Sequence, residues 1–130
     1  MVSGRESGYV ALLTVLIVGA AATAIALVLL ASGTDSQRST LIEQQSKQAR
    51  AQAIACAEEA LQQVHDNVAF SGSNTLTLGQ GTCTYTVTVT APSTRSIFAT
   101  GTVNNVVKKV QTYATINTSS ISITSWQEVM

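Results

Sequence analysis

The sequence predicts an α+β fold: a long N-terminal helix, apolar in its first half and amphipathic in its second, packed on a small antiparallel sheet of about four to five strands. Three observations carry this. Tyr9 to Ala31 form an uncharged apolar run. From Thr34 to about Val68 the chain has no Pro or Gly and places apolar side chains at helical spacing. Beyond Phe70 the apolar residues recur with a period of two.

The apolar run comes first. Its only polar groups are Thr14, Thr23 and the phenol of Tyr9. Roughly 20 apolar helical residues cross the hydrocarbon core of a bilayer. The run therefore has three fates: to span a membrane, to be removed, or to pack into an all-apolar helical bundle. Removal as a secretory signal, with cleavage near Ala31-Ser32, fits the template poorly. The apolar stretch is too long, and Glu6 offsets Arg5 in the leading segment. Arg5 on one side and Arg38 on the other give little charge bias to set orientation.

Ser32-Gly33 interrupts the run and marks a bend, a break or a change of environment. Thr34 or Asp35 is placed to cap a fresh helix. One helix passing through this point and two helices joined by a loop at 32–34 are both compatible with the sequence. Beyond it, Ala53, Cys56, Ala57, Ala60, Leu61 and Val64 form one stripe, extended less regularly by Leu41, Ile42 and Ala49. Gln44, Gln45, Lys47, Gln48, Arg50, Gln52, Glu58, Glu59, Gln62 and Gln63 lie off the stripe, and Glu43 is spaced to pair with Lys47. The small Ala and Cys side chains allow a second layer to approach closely.

The remaining chain reads as strands and turns. Ser71-Gly72-Ser73-Asn74 is a turn cluster. Leu76 and Leu78 alternate with Thr75 and Thr77, and Gly79-Gln80-Gly81 turns the chain. Cys83, Tyr85, Val87 and Val89 alternate with Thr84, Thr86, Thr88 and Thr90, as expected of a half-buried strand. Ala91-Pro92-Ser93-Thr94 turns again, Ile97 to Val103 form a strand, and Asn104-Asn105 form a tight hairpin turn. Val106, Val110, Ala114 and Ile116 give the next strand an apolar face. Lys108 shares their parity, which places it near an end or at a slip of register. Ile121, Ile123 and Trp126 suggest a last short strand. Short successive turns favour an antiparallel meander, and the stripe at 53–64 is available to cover one of its faces.

Composition narrows the function. Seven basic and seven acidic residues give zero formal charge, so the basic excess of a nucleic-acid surface is missing. Beyond residue 67 only Arg95, Lys108, Lys109 and Glu128 are charged, in a Thr- and Ser-rich background suited to β structure. No catalytic, cofactor-binding or metal site is expected. His65 is the only histidine, beside Asp66, and reads as exposed or capping. Glu58 and Glu59 are adjacent and diverge on a helix. Gly79-Gln80-Gly81 has no helix after it and is not a phosphate loop. Asn117-Thr118-Ser119 matches a glycosylation sequon, a pattern short enough to arise by chance. Trp126 is either an exposed contact residue or a packed core aromatic.

The junction of Gly8 with Tyr9-Val-Ala-Leu-Leu-Thr-Val-Leu-Ile-Val-Gly resembles the prepilin-type N-terminal methylation signal of type IV pilin-like proteins. The likeness covers roughly residues 5–65 in pattern. It implies a leader at 1–8, cut after Gly8 by a prepilin peptidase, with Tyr9 as the new and usually methylated first residue. It also implies a retained transmembrane or filament-core helix at 9–31, an amphipathic continuation at 32–70 and a sheet region at 71–130 that forms one globular head with 50–70. One position departs from the family pattern. Most type IV pilins have Glu at the fifth mature position, where this chain has Leu13. That departure resembles minor pilins and pseudopilins, including PilX-type minor pilins.

The resemblance leads us to expect a structural subunit in the cytoplasmic membrane, N-terminus inside and C-terminal domain outside, later assembled into a cell-surface pilus or secretion pseudopilus. Its partners would be the peptidase, the cytoplasmic membrane and other pilin-like subunits. Gly19, Ala20, Ala21, Ala22 and Ala24 would let neighbouring helices approach closely. The competing expectation is a single-span, membrane-anchored extracytoplasmic binding module that does not polymerise. Cys56 on the helix stripe and Cys83 on the strongest strand would both face the helix–sheet interface. In an exported protein they are expected to pair; two buried free thiols are the alternative.

Overall fold

The computed structural model describes residues 3–130 and has the predicted α+β architecture, one helix followed by five strands. Helix α1 spans Ser3–Asp66, and the strands are β1 (Gly72–Leu78), β2 (Gly81–Ala91), β3 (Thr94–Val103), β4 (Val106–Asn117) and β5 (Ser120–Val129). The strands form one antiparallel meander in the order β1-β2-β3-β4-β5. The chain divides into two compact units, Met1–Thr40 and Leu41–Met130.

Helical structure continues through Ser32-Gly33-Thr34, so of the two arrangements the sequence allows the single helix is found, without a fresh cap at Thr34 or Asp35. The hydroxyls explain this. Ser32 Oγ donates to Val28 O at 2.9 Å and Thr34 Oγ1 to Ala31 O at 2.8 Å. Both turn back along the helix instead of accepting from N–H groups ahead, which is what a cap does. At the other end α1 stops at Asp66, short of residue 70. Asn67 ends it: its N–H still bonds Gln63 O at 3.0 Å, while its Oδ1 accepts from the N–H of Ala69 at 3.1 Å. Such an Asx turn diverts the backbone from the next helical bond.

Within the second unit the stripe at 53–64 lies on the sheet as predicted, with Leu61 half-buried, whereas Leu41 and Ile42 of its less regular extension are exposed. Ala49, Ala53, Cys56, Ala57, Ala60 and Val64 are fully buried, together with Cys83, Tyr85, Val87, Ile97, Ala99, Val110 and Ala114 from the strands. Thr82, Thr84, Thr86 and Thr88 alternate with the buried residues of β2 and are exposed on the far face. Strand β1 begins inside the Ser71–Asn74 cluster that composition marks as a turn. Gly72, Ser73 and Asn74 pair with Val87, Thr86 and Tyr85, so the ladder offered by β2 outweighs their low strand preference.

The last strand is ten residues, longer than expected. A bulge explains the odd spacing of Ile121, Ile123 and Trp126. Ala114 pairs with Ile123 and Tyr113 with Ser125, leaving Thr124 unmatched. The extra residue reverses the parity. Ile121, Ile123, Trp126 and Glu128 consequently share the helix-facing side, opposite Ile116, Ala114, Thr112 and Val110. Lys108 lies near the start of β4, as its parity requires, and its Nζ is 3.5 Å from Glu128, which also meets Arg50 of α1 at 3.2 Å.

Two glycines allow the layers to close up. A Cβ on Gly101 would collide with Ala49 O and lie 2.6 Å from Ala53 N, and one on Gly81 would collide with the amide of Gln52. Gly101→Ala is expected to lower the stability of the second unit by about 1–3 kcal/mol, the range for overpacking. Gly33→Ala, where nothing lies within 4 Å, should instead be neutral or stabilising by up to about 1 kcal/mol. Urea unfolding of the full chain in detergent, followed through the fluorescence of its single tryptophan, Trp126, distinguishes the two.

Candidate functional site

The apolar segment has no cover of its own. Every residue from Arg5 to Gln44 is exposed. Tyr9, Leu16, Val28 and Leu30 show 67%, 63%, 65% and 67% of their surface, where core residues would show almost none. As a helix, residues 9–31 are roughly 34 Å long at 1.5 Å per residue, against about 30 Å of hydrocarbon. One helix of the described residues is thus long and apolar enough to cross a membrane, and it lies near the N-terminus.

The polar groups within it fit that medium. Thr14 Oγ1 donates to Val10 O at 2.7 Å and Thr23 Oγ1 to Ala20 O at 2.9 Å. Each hydroxyl is satisfied by its own helix, as lipid demands of every polar group. Gly8 and Tyr9 lie within the first helical turns, since α1 begins at Ser3. No atom lies within 4 Å of a Cβ built on Gly8 or Gly19. Ala20 and Ala24 are four residues apart and share a face, and Ala24 joins Ile25, Val28 and Leu29 around a shallow apolar depression. Leu13 is an exposed apolar residue in the same run.

The second unit is held by a disulfide, Cys56–Cys83, with Cα atoms 6.1 Å apart. It joins α1 to β2 across the interface anticipated for the two residues. Both are at most 1% exposed. Closing a loop with a sequence separation of 27 stabilises by about 3 kcal/mol in the chain-entropy model.

Arg95 is a residue that sequence reasoning missed. It is 5% exposed and has no carboxylate partner among the described residues. Its Nη1 donates to Ala91 O at 3.1 Å and Thr94 O at 3.2 Å, and its Nη2 to Val68 O at 2.8 Å. A buried charge is tolerable only when hydrogen-bonded, and here carbonyls take the place of a counter-ion. The link ties the segment after α1 to the β2–β3 hairpin. The available signal was parity: Arg95 shares the inward side of Ile97 and Ala99, one turn of the pleat before the expected start of that strand.

The other residues singled out are scattered. His65 is exposed and its Nδ1 is 3.3 Å from Asp66 Oδ1. Glu59 accepts from Gln63 Nε2 at 3.0 Å, whereas Glu58 lines a groove toward β5. Trp126 is 38% exposed, between the two readings offered for it. Asn117 is exposed where β4 ends. The expected Glu43–Lys47 pair forms at 2.8 Å. Its hydrogen bond, then its charge attraction, holds the Glu43 carboxyl below and the Lys47 ammonium above their ordinary ranges. No group of three or more His, Cys, Asp or Glu side chains among the described residues is placed to hold a metal ion.

These features define a class: an α+β domain closed by a disulfide, carried on a chain whose leading helix is apolar enough to cross a membrane. Comparison with protein-family models, curated proteins and solved structures finds no match.

The burial of the disulfide makes a prediction. Mild reductant should leave Cys56–Cys83 intact under native conditions and attack it only once the unit unfolds. The double variant Cys56→Ala, Cys83→Ala should lose at least about 3 kcal/mol, read by urea unfolding beside alkylation of released thiols.

Proposed function

We propose that this chain is a type IV pilin-like structural subunit, closest in character to minor pilins or pseudopilins, and not an enzyme. The observation that carries the reading is the pairing of an uncovered apolar helix with a separately packed, disulfide-closed sheet unit. An apolar surface of that extent needs a nonaqueous medium or a neighbouring helix. In the proposed sequence of events lipid provides cover first. The N-terminus lies inside, the sheet unit outside, and the oxidising exterior allows the disulfide to form.

A prepilin peptidase then cuts after Gly8 and frees Tyr9. The trimmed helices pass from lipid into a filament, where Gly19, Ala20, Ala22 and Ala24 bring neighbouring backbones close. Gains of this transfer come from packing, because lipid is already apolar. The sheet unit remains on the outside of the fibre. Leu13, in place of the family Glu, removes the ion pair with a neighbour's amino terminus and suits a specialised subunit better than the principal one.

The alternative is an anchored binding module that keeps its span in the membrane for good. Mass spectrometry of the protein from its native host separates the two. The pilin reading expects a first residue of Tyr9, with or without a methyl group, and expects Gly8→Asp to leave Met1 in place. An intact Met1 in the unaltered protein favours the anchor, and a start near Ser32 excludes both. If Leu13 defines the subunit's place in the fibre, Leu13→Glu should change its incorporation several-fold in sheared filaments.

A further inference from the structure

The second unit ends in a free sheet edge beside an apolar groove, and the two together describe a binding site. Strand β5 pairs with β4 alone, so along ten residues its outward N–H and C=O groups have no strand partner. Exposed edges are normally blunted by Lys, Pro, shortness or bulges. This one is long, has neither Lys nor Pro, and carries a single charge, Glu128. Its one bulge, at Thr124, has a further effect: it places Trp126 on the same side as Ile121 and Ile123. Ile123 remains 49% and Trp126 38% exposed there. Next to them Leu61, Glu58, Gln62 and His65 of α1 form the other wall of an open groove.

We propose that this edge takes up an extended segment of a partner protein as a sixth strand, by strand addition. The site sets the chemistry of that segment. The edge requires an extended backbone. The groove requires apolar side chains at alternate positions, with polar ones between them on the Ser122 side of the sheet.

The ends of the groove differ in charge. Near Ile121 and Ile123 stands Glu58, which has no ion-pair partner among the described residues. At the far end Arg50 and Lys108 share one carboxylate, Glu128. The segment therefore carries a basic residue at the Glu58 end and an acidic one at the Arg50 end. This chain's own edge strands do not supply that pattern: β1 has no charge and β5 no base. The pattern identifies the occupant as a different protein, not a second copy. The inference does not depend on the pilin reading.

The test uses the full chain in detergent micelles and two probe peptides, Lys-Thr-Val-Thr-Val-Thr-Glu and the reverse order, in which the charged ends share the parity of the apolar residues. Each is also fused after Met130 through a Gly-Ser linker, which raises its effective concentration to roughly millimolar. Trp126 is the only tryptophan and reports directly. One order should give a saturable blue shift of its emission and slow amide exchange along β5 at least tenfold. Ile123→Lys, at an exposed position, should abolish both without altering urea unfolding. N-methylation of alternate residues should abolish binding in one phase and spare it in the other, because only one row of peptide N–H groups faces the edge. No change with either fused peptide overturns the proposal. So does equal binding of both N-methylated phases, which means contact without strand pairing. A blue shift that grows with protein concentration alone assigns the groove to a second copy and equally overturns it.

Discussion

The sheet unit depends on how closely α1 approaches the strands. Alanine and cysteine line the buried stripe of the helix, and Gly101 and Gly81 stand opposite, with no room for a further carbon at either glycine. At Gly101 the small residues of both surfaces remove the usual spacing of interdigitated side chains, and the backbone of α1 meets that of β3. Dispersion at that distance is dense, but little apolar area is buried per residue by alanine. The disulfide compensates at the same seam, since Cys56 and Cys83 are themselves stripe and strand residues. A unit of this size has a limited hydrophobic core, and the cross-link contributes where the small side chains cannot.

That economy follows from what the first forty residues leave undone. Residues 5–40 are exposed throughout, so the remaining chain must fold on its own core. Loose ends are tied by polar links. Arg95 holds the segment after α1 through Val68 O, Gln52 reaches Leu78 O at 2.9 Å, and Glu128 joins α1, β4 and β5 through Arg50 and Lys108. Such partly exposed ion pairs are individually weak. Their role here is geometric: they fix the ends of elements whose middles are held by packing.

The fold was largely legible because its two periodicities are strong. The Thr alternation of residues 82–90 fixes one strand and, with the short turns, the meander. The apolar residues between 53 and 64 fix the face that covers it. The boundaries were less legible, for local reasons. The hydroxyl of Thr34 looks like a cap in sequence, yet bonds backward in the helix. Asn67 ends α1 through its own side chain, which no apolar pattern records. The uneven spacing of Ile121, Ile123 and Trp126 was itself the sign of a bulge, readable only once the pairing with β4 is known. Arg95 stayed hidden because a cation at an inward position looks like a strand end. The apolar segment was plain in sequence, whereas what covers it is a property of its surroundings and is written in neither sequence nor fold.

Leu13 bears on how neighbours would be told apart in the proposed assembly. A span with no ionisable group between Tyr9 and Ala31 enters hydrocarbon without the penalty of a buried charge. It also has no charged contact to specify register against a neighbouring helix, and packing of leucine, valine and alanine alone tolerates sliding by a turn. Register must then be set by features that do not slide. Within the span these would be the small residues Gly19, Ala20, Ala22 and Ala24, where a neighbouring backbone would come closest. Beyond it they would be the directional contacts of the sheet unit, whose far face carries a single charge, Lys109, and whose β5 edge is open, so that one approach would differ from another through shape and backbone hydrogen bonds. Specificity that a principal subunit would draw from one ion pair in the membrane would, in the proposed assembly, move outward to the strands of this chain.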